Sequence, residues 1–179
     1  MNVRRFQNLC GALNWVLKFM ALVAVVSIFV KISSYLNGTF EVSRDSSLGF
    51  ALIGTSSGSL AKFTNSQIGL AQITAESFGL FVAAILLFIG SNVLLDIWLE
   101  KTPFSEKQTR RLTIISFGII LLALIQEPLY SIILSFASPN ANFFSFKIGE
   151  MFIFGLLMLC MTGMFKYGMA LQKLSDDTV

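Results

Sequence analysis

Apolar positions along this chain fall in long runs, and the polar positions gather between them. A bilayer's hydrocarbon core is about 30 Å thick, so a helix needs roughly 20 apolar residues to cross it. Four runs reach that length, at about residues 13–36, 77–98, 112–137 and 146–171. Lys18 and Lys31 flank the apolar centre of the first, placed to snorkel toward the two interfaces. The second carries no charge before Asp96, and the third is interrupted only by Glu127-Pro128. The fourth has Glu150 near its start and Lys166 near its end. A backbone crossing lipid must satisfy its own hydrogen bonds, so each run predicts a helix. The expected fold is an all-α integral membrane protein: one membrane domain over 1–179 with four transmembrane helices.

The polar stretches between the runs are unequal. The first, about 37–75, is rich in Ser, Thr and Gly. Within it Phe50-Ala51-Leu52-Ile53 and residues 68–73 are short apolar runs bounded by turn residues. They predict a small β-hairpin lying on the helices, with an irregular loop as the alternative. The second, 100–111, contains Thr102-Pro103-Phe104-Ser105-Glu106-Lys107. Thr102 or Ser105 can cap the third helix. With Ser105 as cap, Gln108 takes the third helical position, the arrangement of a capping box.

Composition sharpens the membrane reading. The chain is 55% hydrophobic and 13% charged, where a soluble domain carries about 25% charged residues. A water-facing surface is hard to build from that supply. His is absent, which removes the usual metal ligand and the usual proton shuttle at neutral pH. Cys10 and Cys160 lie far apart, with neither the spacing of a zinc site nor the density of a disulfide framework, and read as small apolar residues. No metal or cofactor is expected. Arg4 and Arg5 before the first run suggest a signal peptide. Against that, Lys18 interrupts the run and no A-x-A-like site follows Val30, so the first helix is expected to be retained.

Basic residues orient the spans. Arg4 and Arg5, then Lys101, Lys107, Arg110 and Arg111, then Lys166 and Lys173, share one side if there are four spans. That side is expected to be cytoplasmic, with both termini on it and the 37–75 loop outside. The net charge of +3 follows from topology and gives no argument for direct nucleic-acid binding.

Leu99-Glu100-Lys101-Thr102-Pro103-Phe104-Ser105, followed by Arg110-Arg111-Leu112, resembles the signature after the second span of a bacterial membrane family, the one catalogued as domain of unknown function 2975. The ending Tyr167-Gly168-Met169-Ala170-Leu171-Gln172, then Asp176-Asp177-Thr178-Val179, is similar to that family's close, although Ser175-Asp176-Asp177 departs from its usual acidic-Leu-Thr-Val tail. The resemblance implies a four-helix bacterial inner-membrane protein without assigned activity. It also implies a soluble helix-turn-helix regulator as a companion.

Charges inside a span are costly and invite a functional reading. Glu127 follows Arg111 by sixteen residues, roughly 24 Å along a helix, which puts it in the outer half of the membrane. Pro128 beside it removes a backbone donor and predicts a kink. Lys147 and Lys31 lie near the same level as candidate partners for Glu127, and Glu150 sits where a helix dipole favours a carboxylate. These four form the candidate intramembrane polar site, read as a structural ion pair, an ion contact or the wall of a wet cleft. Asp96 and Glu100 are expected to cluster with Lys18 and Lys166 at the other interface. Gly90, Ser91, Gly118, Gly155 and Gly163 suit close helix packing.

On the cytoplasmic side the basic connection (Lys101, Lys107, Arg110, Arg111) and the acidic end (Asp176, Asp177) form a candidate docking face, held by a weak mutual latch that a soluble partner or the anionic headgroups of the lipid bilayer could displace. No nucleophile–base pair, carboxylate dyad, phosphate loop or metal cluster stands out in the sequence. The expected function is therefore a non-enzymatic membrane protein in regulation or envelope stress, acting through a partner. A small transporter, channel or transporter subunit is one alternative. Immunity against a membrane-active peptide is another.

Overall fold

The computed structural model describes residues 3–42, 51–100, 105–138 and 141–176. Among these the chain forms α1 (Val3–Leu36), β1 (Ala51–Ser57), a short 3-10 turn (Leu60–Lys62), α2 (Asn65–Glu100), α3 (Glu106–Ala137), β2 (Phe144–Gly149) and α4 (Glu150–Asp176). Each long helix carries a stretch apolar and long enough to cross a membrane: Gln7–Leu36, Asn65–Leu99, Glu106–Ala137 and Glu150–Leu171. The chain is a multi-pass membrane protein. Its large apolar side chains point outward, Trp15, Phe19 and Phe29 on α1 and Met161, Met164 and Tyr167 on α4 among them. Lipid is as apolar as they are, so nothing drives them inward.

Each helix packs on its neighbour in sequence, α1 on α2, α2 on α3 and α3 on α4. Among the described residues the result is an open row of helices. In α1, Cys10, Asn14, Ala21 and Ala24 are buried, and Leu17, Ile28, Lys31 and Tyr35 are partly so. Their spacing alternates between four and three residues, the 3.5 period of a helix pair joined along one narrow seam. Within that seam the Ser91 hydroxyl of α2 donates to Asn14 Oδ1 at 2.6 Å, with both side chains buried. Between α3 and α4 the approach is close at Gly155. A Cβ there would lie 2.6 Å from Ile120 Cγ1 and 3.1 Å from the Ile120 backbone nitrogen. Gly163, expected to serve the same purpose, faces open space.

One end of the row is closed by the sheet. The hairpin expected within the first loop does not form. β1 pairs antiparallel with β2, which belongs to the connection between α3 and α4, in a register running from Ser57↔Phe144 to Gly54↔Lys147 and on to Ala51↔Gly149 past an irregularity. Residues 68–73, taken as the second hairpin strand, are helical. Thr64 and Gln67 explain why: the Thr64 amide donates to Gln67 Oε1 at 3.0 Å, and the Gln67 amide donates to Thr64 Oγ1 at 3.4 Å. That reciprocal pair starts α2 twelve residues before its apolar run. Ile68, Ala71 and Ala75 are then buried at helical spacing. The fourth helix likewise begins at Glu150 and not at 146, because residues 144–149 form β2. At the other end Ser105 caps α3 as expected, its Oγ accepting from the Gln108 amide at 3.3 Å. The helix runs on through Pro128.

A small core fills the sheet end. Phe63, Ile68, Ala71, Leu134, Ala141 and Phe143 are buried together, Ile68 and Leu134 completely. Phe143 meets the rings of Phe63 and Tyr130 edge-on. Gln67 Nε2 donates to the Ala137 carbonyl at 2.8 Å, satisfying one of the orphan acceptors at the end of α3. Gly58, at φ +100, lets the chain pass where a Cβ would sit 2.5 Å from the Asn142 carbonyl oxygen.

Candidate functional site

Two belts of charge bracket the apolar layer. At the sheet end Lys31 of α1 forms an ion pair with Glu76 of α2, and Gln72 Nε2 donates to the other carboxylate oxygen of Glu76 at 3.0 Å. At the basic end Arg111 Nη1 donates to Asp96 Oδ2 at 2.6 Å and to the Asn92 carbonyl at 3.2 Å, while Lys107 stands 3.3 Å from the same carboxylate oxygen. Glu76 and Asp96 are twenty residues apart on one helix, roughly 30 Å, which matches the thickness of a hydrocarbon core. Charges are therefore tied across helix pairs at both margins of the lipid layer.

These belts revise two expected pairings. Lys31 is engaged by Glu76 and not by Glu127, because its place in the α1 seam faces α2. Asp96 is engaged by Arg111 and Lys107 of α3 and not by Lys18 or Lys166. Lys18 lies on α1, 5.8 Å from the centre of the Trp15 ring. Arg111, expected on the docking face, is a strut between α2 and α3.

Glu127 sits at the foot of a ladder between α3 and β2. Ser135, Ser131 and Glu127 recur every fourth residue on α3, a rise of about 6 Å, close to the advance of two residues along a strand. Ser135 Oγ donates to the Phe143 carbonyl at 3.0 Å and lies 3.3 Å from the Phe143 amide, which donates to it. Ser131 Oγ accepts from the Ser145 amide at 2.8 Å and lies within donating distance of the Ser145 carbonyl, at 3.2 Å. The helix thus supplies hydroxyls where a third strand would supply backbone groups. Ser145 Oγ donates to Glu127 Oε2 at 3.2 Å. Lys147 follows two residues on along β2, on the same face of the strand by its period, and Glu150 opens α4 with its side chain exposed. Of the four residues of the candidate polar site, Glu127 and Lys147 come to the α3–β2 contact, and Lys31 lies in the α1–α2 seam.

Among the described residues the basic end is open. A groove of about 1180 Å³ runs between the start of α3 and the end of α4, lined by Ser105, Glu106, Lys107, Thr109, Arg110, Thr113, Ile114, Lys166, Met169, Ala170 and Lys173. The two helices touch below it, where Thr109 Oγ1 donates to Met169 Sδ at 3.7 Å. Lys107, Arg110, Lys166 and Lys173 are exposed. Arg110, Lys166 and Lys173 enter no ion pair among the described residues. Of the expected docking face, Lys107 and Arg110 are therefore at the groove. Lys101 and Asp177 lie outside the described residues, and Asp176 is the last residue of α4. In the sequence Lys173 reads only as a marker of topology, and Lys166 as that and as a partner for Asp96 and Glu100. An antiparallel α3–α4 pair brings both lysines opposite Lys107 and Arg110, a placement that spacing within one helix does not reveal. Glu76 was missed because it stands just before the apolar run taken to begin at 77.

Among the described residues no group of three or more His, Cys, Asp or Glu side chains is placed to hold a metal ion. The chain matches no protein-family model, no curated protein and no solved structure.

Proposed function

We propose that this chain is a non-enzymatic protein of a bacterial inner membrane, with both termini cytoplasmic, that acts through a partner docked at its basic end. The observation that carries the reading is the unequal use of charge at the two ends. At the sheet end Lys31 and Glu76 neutralise each other, and Glu127 is engaged by Ser145. At the basic end Arg110, Lys166 and Lys173 stand exposed and enter no ion pair among the described residues. Exposed cations that no described acid engages suit an acidic partner, recruited by long-range attraction and held by short contacts. The soluble regulator implied by the motif resemblance at residues 99–112 is a partner of the right location.

Two measurements test this. Single cysteines at Ser57 and Thr178 report sidedness in intact cells, and labelling of Thr178→Cys from outside overturns the orientation. The docking surface is tested by reversing Arg110 and, separately, deleting residues 175–179, followed by purification from the native membrane. Loss of a co-purifying soluble protein in either variant is the expected result. An unchanged set of co-purifying proteins in both, with the chain still folded, overturns the docking reading. The transport alternative rests on Glu127, whose carboxylate accepts the Ser145 hydroxyl that helps hold β2 to α3.

A further inference from the structure

We propose that the groove between α3 and α4 seats the headgroup of an anionic phospholipid, with one acyl chain laid along the outer face of α3. The inference goes beyond the docking of a protein partner and does not depend on it.

Depth is the first support. Arg111 marks the charge belt at this end, about 30 Å from the belt at Glu76, and Arg110 and Lys166 lie within about a turn of its level. The groove therefore opens where phosphates stand and not in bulk water. Charge is the second. Its lining carries Lys107 and Arg110 on the α3 wall, Lys166 and Lys173 on the α4 wall, and Glu106 as its one acid among the described residues. Cations on both walls favour a headgroup with two phosphates, one for each wall, over a headgroup with a single phosphate. The start of α3 adds backbone donors and the positive end of its dipole on the same side as the cations.

The third support is the change of character along the groove. From the cationic mouth the walls pass to Thr113, Ile114, Met169 and Ala170. Ile114 is exposed, and Phe117 and Leu121 continue the same exposed face of α3 one and two turns deeper. A phosphate at the mouth would thus have an apolar track leading from it into the lipid layer. An acidic peptide has use for the mouth alone. The groove is also roomier than the ~300–1,000 Å³ of most small-molecule sites, as a headgroup with the roots of its chains requires.

The test is native mass spectrometry of the purified full chain, released from micelles after exchange against diphosphatidylglycerol, phosphatidylglycerol or phosphatidylcholine. The expected order of retention is diphosphatidylglycerol first and phosphatidylcholine last. The double variant Lys166→Gln, Lys173→Gln removes two of the four cations and should weaken diphosphatidylglycerol retention roughly 30-fold. Lys62→Gln, at the opposite end, should leave it unchanged. Melting in detergent without added lipid checks that each variant is folded, and Arg110→Gln serves alone if the double variant is not. Equal retention of phosphatidylcholine overturns the proposal, as does full retention by the folded variants. A deacylated, water-soluble headgroup that binds as tightly as the lipid overturns the acyl track. Loss of a co-purifying protein from the double variant, with lipid retention intact, assigns the groove to a protein instead. Because lipid retention is read on the purified chain, its failure leaves the docking experiment standing, and the reverse also holds.

Discussion

The two ends of the row solve opposite problems. At the sheet end two connections and four helix ends converge, and Ile68 and Leu134 are removed from solvent altogether. Serine hydroxyls close the strand edge, and a glutamine closes a helix end. At the basic end no described residue covers the helix ends, and exposed cations stand around a groove. The difference teaches where water matters in a membrane protein. A hydrophobic core is built where the chain leaves the lipid, because only there does burial remove apolar surface from water. Inside the lipid the helices meet through seams of small residues and a few polar contacts, such as Asn14 with Ser91.

Substitutions can break this contrast, and the largest effect is expected in the sheet-end core. Leu134→Ala removes a completely buried side chain and should cost about 2–5 kcal/mol, read as a lower melting temperature in detergent. A loss under ~0.5 kcal/mol would mean that the cap adds little to the fold.

Next comes Gly155→Ala. Its Cβ would meet a backbone nitrogen at 3.1 Å as well as Ile120 Cγ1, so α3 and α4 must part, at a cost of about 1–3 kcal/mol. Gly163→Ala meets nothing and should be neutral or slightly stabilising. Equal melting temperatures for the two variants would contradict the close α3–α4 approach.

Asp96→Asn leaves Arg111 and Lys107 without their shared carboxylate. The Asp96 side chain is 16% exposed, so the loss should be about 1–2 kcal/mol, well below that of a fully buried pair. Lys31→Met tests the other belt, whose groups are 37% and 27% exposed, and should cost only about 1 kcal/mol or less. The smallest stability effect belongs to Lys166→Gln and Lys173→Gln, expected within ±0.5 kcal/mol by the same melting assay. If neutralising these exposed cations destabilised the chain more than Lys31→Met did, the open end would be structural after all.

Sequence carried the spans well and the sheet poorly, for identifiable reasons. Twenty apolar residues announce a helix by length alone, and Ser105-x-x-Gln108 marks the start of α3 by side-chain chemistry. The same chemistry stands at Thr64-x-x-Gln67, but the apolar count began later, at 77, and hid twelve residues of helix with Glu76 among them. The alternation Phe144-Ser145-Phe146-Lys147-Ile148 is a strand pattern, masked by its junction with the apolar run that follows. The pairing of β1 with β2 was not legible, since nothing local to either strand names a partner in a different connection. The serine ladder was hidden for the same reason: Ser131 and Ser135 read as ordinary helix residues until β2 lies beside them. At the basic end Lys107 and Arg110 were in view as docking residues, while Lys166 was assigned to an interfacial cluster with Asp96 and Lys173 to topology alone.

The pairing of Ser57 with Phe144 has a consequence for biogenesis. Every helix can settle on its predecessor as it is made, but β1 has no partner until the chain has grown by a further 87 residues. At about 5–20 residues per second, that interval is roughly 4–17 s of synthesis. Throughout it a strand bearing Leu52 and Ile53 waits with both edges bare, in competition with any other extended chain nearby. The ribosome's pace between the codons for Ser57 and Gly149 therefore sets how long this protein is exposed to misassembly, and a slower ribosome there should lower its yield before it alters the stability of the finished fold.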